Sequence, residues 1–301
     1  MFCFKNIGNS CYLNSALQCL MRLPPLNDSL DDTRVPKETP AQLFFHEYND
    51  LRRMALDNNN CTISPALFRH AVQIYAKHKK NPDFTGANQN DAAEFLQFVI
   101  HGIHEALTRK EDFDSIPVEN EIEKKCVDMM KVTFSKEFSD MVHLFYGIQL
   151  SCIKKNVTPE SFLTLNLPIP SNGTTLMECI RAYLADETIE GWQNDKTNKL
   201  ETVKKTMCFF RLPTVMFVCL KRFSSDGRKN DQHIEVPFEF ELEGATYTLQ
   251  CGCYHQGSLN SGHYTAIVNI SGKWVVVDDD SYYPAQNISK NAYCLFYLRK
   301  N

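Results

Sequence analysis

Asn6-Ile-Gly-Asn-Ser-Cys11-Tyr-Leu-Asn-Ser-Ala-Leu-Gln-Cys-Leu20 is the stretch from which the rest of the chain can be placed. Leu13, Leu17 and Leu20 fall on one helical stripe, and Asn9 or Ser10 just ahead is a suitable N-cap, so a helix starts at about Cys11. The unpaired backbone N–H groups at that end carry partial positive charge, which favours a thiolate over a thiol. Cys11 is therefore a candidate nucleophile. Cys19, well inside the same helix, gains nothing from the dipole.

A thiolate nucleophile needs a base, and the base needs an orienting group. His255-Gln-Gly-Ser-Leu-Asn-Ser-Gly-His263-Tyr-Thr-Ala-Ile-Val reads as a Gly-rich loop running into a strand, where glycine lets another segment approach closely. Further on, Lys273-Trp-Val-Val-Val-Asp278-Asp-Asp reads as a strand that ends in three carboxylates. If the two strands pair as a hairpin, His263 and Asp278 become neighbours. Without that pairing, three adjacent acids are ordinarily a solvated turn.

The chain has 301 residues, with 43% hydrophobic, 23% charged and 11% aromatic, which fits a globular protein and excludes a disordered or coiled-coil one. Lys and Arg number 32 against 36 Asp and Glu, a net charge of −4, so no basic excess points to nucleic acid or to an anionic membrane, although a basic macromolecular ligand is compatible. The twelve cysteines would suit a disulfide framework, but the start Met-Phe-Cys-Phe-Lys has no signal-peptide pattern. A reducing compartment, cytoplasmic or nuclear, is expected, and the sequons at Asn156, Asn172 and Asn287 carry little weight. No apolar run approaches the roughly 18 to 20 residues that span a bilayer.

Up to about residue 108 the apolar residues recur at helical spacing: Leu13, Leu17, Leu20; Leu43, Phe44, Leu51, Met54; Leu67, Phe68, Ala71, Ile74; and Phe95, Leu96, Val99, Ile103, Leu107. Pro24-Pro25, the 57–60 cluster and Asn81-Pro82-Asp83 mark loops between them. The charged 109–125 segment reads as a solvated connector. Beyond residue 140, short runs at 216–220, 234–242, 247–254, 264–270, 274–277 and 293–298 predict strands of an antiparallel sheet, interrupted by a helix at about 176–185. The fold class is α+β, a helical lobe followed by a sheet lobe, with the cleft between them as the place for chemistry.

The segment 3–20 resembles the cysteine box of the ubiquitin-specific proteases, the papain-like cysteine deubiquitinases. Gly262-His263-Tyr264 with 274–279 resembles the histidine box of that family, and Asn88-Gln89-Asn90-Asp91-Ala92-Ala93-Glu94-Phe95-Leu96 resembles its Gln/Asp box. Phe145-Tyr-Gly147, Leu212-Pro213 and Leu220-Lys-Arg-Phe223 follow in the same order, so the likeness spans nearly the whole chain. It implies one catalytic domain over 1–301, with a helical thumb over about 1–125 and an antiparallel β-sheet palm with β fingers over about 126–301.

The resemblance also implies roles. Cys11 would attack the carbonyl of the C-terminal glycine of ubiquitin, His263 would move the proton, and Asp278 would hold the imidazole, with Asp279 as the rival third residue. Asn6 would donate to the oxyanion. Asp91 and Glu94 match acidic positions that meet arginines of the ubiquitin tail; as an Asp with a Glu three residues on, they also fit a helix cap. Gln89 would line the entrance, and His255 and Tyr264 would face the substrate, His255 from a mobile loop and not as the general base. The expected partners are ubiquitin and ubiquitinated proteins, with no nucleic acid and no membrane, and the domain is expected to act as a monomer.

Departures from the family pattern matter as well. Many members hold a structural zinc in the fingers with two Cys-x-x-Cys pairs, whereas here the positions read Cys152, Lys155, Asn194 and Thr197. No metal or other cofactor is expected, and packing alone would hold the fingers. Cys251-Gly-Cys253 reads as an ordinary strand, and His101-Gly-Ile-His104-Glu105 as a surface helix despite its ligand-like spacing. Cys3 replaces a family glycine and Ser10 its usual threonine, and with Met1 only two residues ahead of Cys3 nothing upstream is expected to brace the box. Two other readings stay open, a ubiquitin-binding scaffold with little activity and a protease for a ubiquitin-like modifier.

Overall fold

The computed structural model describes residues 1–31, 33–58, 60–194, 197–224, 226–258 and 261–300. Strand β1 (Phe2–Phe4) precedes helix α1 (Cys11–Leu20), which starts after Ser10 and is buried along its whole length. The Pro24-Pro25 pair, expected in a loop, opens α2 (Pro24–Leu30) instead. A proline at the first helical position lacks only an N–H that would have had no helical partner, and burial of Leu26 and Leu30 holds the turn. Helix α3 (Pro40–Asp57) opens with a capping box between Thr39 and Gln42. Its core face is Phe44, Phe45, Tyr48 and Leu51, while Leu43 and Met54, expected on that stripe, are exposed.

Strand β2 (Cys61–Ile63) pairs in parallel with β1, and Phe4 also donates its N–H to the carbonyl of Asp279 at 3.1 Å. The segment ahead of the nucleophile is thus tied from two sides, by a short strand whose residues are all buried. That anchorage was not expected from the sequence. Helices α4 (Ala66–His78) and α5 (Ala92–Ala106) complete the packing around α1 and α3; Leu67 and Ile74 of the expected α4 stripe face solvent, and Phe68, Val72 and Tyr75 face the core.

The 109–125 connector is shorter than expected. Asn120 accepts from the N–H groups of Ile122 and Glu123 and starts α6 (Glu121–Phe134), whose buried Cys126, Met130 and Phe134 recur every four residues behind a charged outer face. After α7 (Asp140–Phe145) come β3 (Gly147–Ile153), β4 (Asn156–Phe162), β5 (Thr164–Leu167), α8 (Leu176–Leu184), β6 (Glu187–Gln193) and β7 (Leu200–Arg211). These are followed by β8 (Val215–Leu220), β9 (Glu239–Leu242), β10 (Ala245–Gly257), β11 (Gly262–Ile270), β12 (Lys273–Asp278), β13 (Ser281–Pro284) and β14 (Ala292–Arg299). Of the 234–242 run only β9 is a strand, because Pro237 cannot donate to a sheet ladder.

One sheet runs β4-β3-β7-β6 and forms the fingers; the larger runs β13-β12-β11-β10-β14-β8-β5, with β9 also on β10, and forms the palm. The palm is antiparallel except where β5 lies parallel to β8. Both of its faces are buried. Phe217, Cys219, Cys251, Cys253, Cys294 and Phe296 pack toward the helical lobe, and Met216, Val218, Leu249, Leu295 and Tyr297 pack on the opposite side with α8. That two-sided burial explains near-continuous apolar strands. All twelve cysteines are unbridged, and no helix among the described residues is long and apolar enough to cross a membrane.

Candidate active site

Cys11 is the first residue of α1 and is only 5% exposed at the floor of the cleft between the lobes. Ser10 is the N-cap residue, but its hydroxyl turns back to the preceding loop, accepting from the N–H of Ile7 at 3.0 Å and donating to Oδ1 of Asn6 at 3.3 Å. The first N–H groups of the helix are therefore left without a side-chain cap. The loop turns sharply: Gly8 has φ +95 and Asn9 φ 50, left-handed conformations that suit these two residue types. Arg69 donates to the carbonyls of Ile7 and Gly8 at 3.0 and 2.9 Å, and Asn9 reaches the carbonyl of Ala87 at 3.0 Å.

Strands β11 and β12 pair as the expected hairpin, with Ala266 opposite Val277, and this brings His263 at the start of one beside Asp278 at the end of the other. His263 Nε2 lies 2.6 Å from Oδ1 of Asp278. A carboxylate can only accept, so Nε2 carries a proton and Nδ1 is left for exchange with Cys11. The imidazole is pushed up to about 9, first by its hydrogen bond to Cys11 and then by Asp278, against the effect of partial burial. That shift favours the imidazolium form of His263. Burial pushes the thiols of Cys19 and Cys294 well up and keeps these two protonated.

Asp279 makes its bonds away from the imidazole. Its Oδ2 accepts from Nδ2 of Asn6 at 2.7 Å and its Oδ1 from Nδ2 of Asn14 at 2.7 Å. Asn6 Oδ1 meanwhile accepts from the N–H of Gly8 at 3.0 Å and from Ser10, which leaves Nδ2 as the end that meets Asp279.

A cleft of about 100 Å³ runs from Cys11 past Tyr12, Gln89, Asn90, Asp91, Phe223, His255, Gly262 and Tyr264. Gln89, His255 and Tyr264, all singled out from the sequence, line it. His255 is 3% exposed, set edge-on to Phe223 and tilted against Tyr264, and held neutral, with burial and then Lys229 lowering it to about 4. It lies under Gly262, where a Cβ would meet Nε2 at 2.0 Å, so only glycine lets the strand close over the ring. Leu259 and Asn260 of the expected mobile loop lie outside the described residues.

Asp91 is more committed than the sequence suggested. Oδ1 caps α5 through the N–H groups of Ala93 and Glu94 at 2.7 and 3.0 Å, and Oδ2 accepts from Tyr293 at 2.7 Å and Tyr264 at 3.3 Å. Glu94 makes no reciprocal cap. Its carboxyl is pushed up by partial burial and by the neighbouring carboxylates of Asp91 and Asp83, an acidic group that a cation would relieve. Sequence reasoning missed Asn14, Arg69, Asn90, Phe223 and Tyr293 as parts of the site; for Asn14 the available signal was an amide one turn past the candidate nucleophile.

The residues at the family's zinc positions do not fit the metal. One thiol with an amine, an amide and a hydroxyl is not a tetrahedral zinc set. The tip of the fingers carries other contacts: Lys154 is paired with Glu201 and lies over the Trp192 ring, and Asn194 donates to Glu201 at 2.8 Å. His104 is engaged by Ser139 at 2.7 Å, and His101 and His104 are both lowered by burial. Among the described residues, the group whose ligand atoms crowd within 4.8 Å is His263, Asp278 and Asp279, and the bonds above account for it.

The chain is 28% identical over 336 residues to ubiquitin carboxyl-terminal hydrolase 2 of Bos taurus, covering 97% of this chain and 54% of that protein. It is 27% identical over 346 residues to ubiquitin carboxyl-terminal hydrolase 21 of Homo sapiens, covering 97% and 60%. The chain thus spans little more than half the length of these curated relatives. Among solved structures, the SAGA Ubp8/Sgf11/Sus1/Sgf73 DUB module bound to ubiquitin aldehyde superimposes with a TM-score of 0.74 at 23% identity, covering 100% of this chain and 70% of that one, which shows a shared fold. The model of the family described as ubiquitin carboxyl-terminal hydrolase matches residues 2–297. With that match running almost from end to end, the chain belongs to the ubiquitin carboxyl-terminal hydrolase family.

Proposed function

We propose that this domain is a thiol deubiquitinase that hydrolyses the peptide or isopeptide bond after the C-terminal glycine of ubiquitin. The observation that carries the reading is the His263 imidazole, held by Asp278 at 2.6 Å and raised by its neighbour Cys11, beside a cleft of about 100 Å³ that starts at Cys11. Cys11 Sγ attacks the glycine carbonyl, and the electrons move onto its oxygen. One hydrogen of Asn6 Nδ2 is held by Asp279, and the second is left to meet that oxyanion, where one donor supplies about 3 to 4 kcal/mol. His263 gives its proton to the departing amine, then takes one from the water that cleaves the thioester.

Substrate selection follows from the cleft walls. Tyr12, Phe223, His255 and Tyr264 leave space for a glycine-glycine segment, and Asp83, Asp91 and Glu94 offer negative charge to the arginines that precede it. The intact Cys11, His263 and Asp278 set weighs against a scaffold without activity. The domain acts as a monomer inside the cell, on ubiquitinated proteins and not on nucleic acid or membrane, and needs no metal. A Cys11→Ala protein that released the fluorophore from a ubiquitin C-terminal amide at the wild-type rate would remove the reading; loss of all measurable turnover is expected. A matching amide of a ubiquitin-like modifier, hydrolysed faster than that of ubiquitin, would change the substrate.

A further inference from the structure

Asn14 lies one helical turn past Cys11 and is 2% exposed. Its Nδ2 stands 2.7 Å from Oδ1 of Asp279 and 3.4 Å from the carbonyl oxygens of Phe4 and Lys5. All three neighbours are acceptors, so the amide must present its nitrogen to them; turned over, its oxygen would face a carboxylate. Oδ1 is left buried without a hydrogen-bond partner among the described residues. An orphaned buried acceptor is unfavourable, which points to a task for the nitrogen.

That task lies in what Asp279 touches next. Each oxygen of the carboxylate holds one amide, Asn14 on Oδ1 and Asn6 on Oδ2, both at 2.7 Å. The backbone of Asp279 is set by the bond from Phe4 N–H to its carbonyl, but that bond leaves the side chain free to rotate. Asn14, rooted in a rigid buried helix, is the contact that stops the rotation. Asn6 is exposed on a loop, held at its amide oxygen by Gly8 and Ser10 and at its nitrogen by the far oxygen of the carboxylate.

We propose that Asn14 is a positioning residue for acylation: it holds the Asp279 carboxylate in the rotamer that aims the Asn6 amide at the developing oxyanion. The inference rests on the reading of Asn6 as the oxyanion donor. Neither Asn14 nor its carboxylate partner bonds to the imidazole, whose acceptor is Asp278. Loss of Asn14 should therefore slow attack on a carbonyl and leave thiolate formation alone.

Alkylation by iodoacetamide makes the distinction, because it consumes the Cys11 thiolate without forming an oxyanion. Asn14→Asp, nearly isosteric but with acceptor facing acceptor, and Asn14→Ala are to be compared with wild type for hydrolysis of the fluorogenic ubiquitin amide and for alkylation of Cys11 across pH. The expected result is a fall in kcat of about 10- to 100-fold with KM and the alkylation profile within about twofold. In an Asn6→Ala background the same Asn14 substitutions should lower kcat by less than about twofold, since the donor they position is already gone. The inference is overturned if kcat is retained, if alkylation falls in step with kcat, or if the full loss is repeated in the Asn6→Ala background. Absence of ubiquitin turnover by the wild-type protein overturns the underlying reading, and the inference with it; a variant-to-wild-type ratio near one overturns the inference alone.

Discussion

At the scale of single residues, His263 sets the pH behaviour. Its folded-state value of about 9 lies above the ordinary 6.5 of histidine. The stabilising contribution of the charged imidazole is therefore complete below about 6.5 and is lost as pH rises through about 9. The alkaline limb of kcat/KM is expected near pH 9. Asp278→Asn should move that limb to lower pH and reduce kcat by about 100-fold or more, because the carboxylate both orients the ring and favours its charge; a pH–rate profile that keeps its limb would count against the assignment. Cys11, His263 and Asp278 were legible in the sequence because the chemistry demands those residue types and a helix start and a hairpin supply the geometry. Asn14 and Arg69 were not, since each acts on groups far away in sequence or on backbone carbonyls, which no spacing rule announces. Asp279 was legible as an acid near the site, but its turn toward two asparagines depends on a left-handed φ of 50 that the three-acid run does not reveal.

At the scale of elements, α5 shows how one side chain serves two ends. Asp91→Ala removes a helix cap and the acceptor of two tyrosines and should destabilise the fold by about 1 to 3 kcal/mol in chemical denaturation. Glu94→Ala touches neither bond and is expected to leave stability within about 0.5 kcal/mol while raising KM for ubiquitin. Equal destabilisation by the two substitutions would contradict this division. The palm strands were legible because burial on both faces leaves long apolar runs, whereas the fingers were traceable only by family likeness. Strand β7 alternates between exposed and half-buried positions along most of its length, so its residues carry little hydrophobic signal. Helix α6 was hidden for a related reason: one narrow buried stripe behind a charged face looks like a connector until Asn120 is seen to cap it.

At the scale of the whole molecule, the palm is the frame. Its helix-facing side carries Cys19 against Cys253, with the two Sγ atoms 3.7 Å apart, so the nucleophile helix rests directly on the strand that leads toward the histidine loop. The fingers project from this frame with a tip built from Lys154, Glu201 and Trp192. An excess of EDTA is accordingly expected to change neither the melting temperature nor turnover; a melting point that drops with chelator and returns with zinc would show that the tip holds metal after all. The most direct measurement of the central claim uses ubiquitin whose C-terminal carboxyl is replaced by a thiol-reactive electrophile, followed by peptide mapping. The wild-type domain should form a one-to-one adduct on Cys11 and none of the other eleven cysteines, and Cys11→Ala should form none. An adduct mapped to another cysteine, or no capture of ubiquitin by the wild-type protein, would contradict the account.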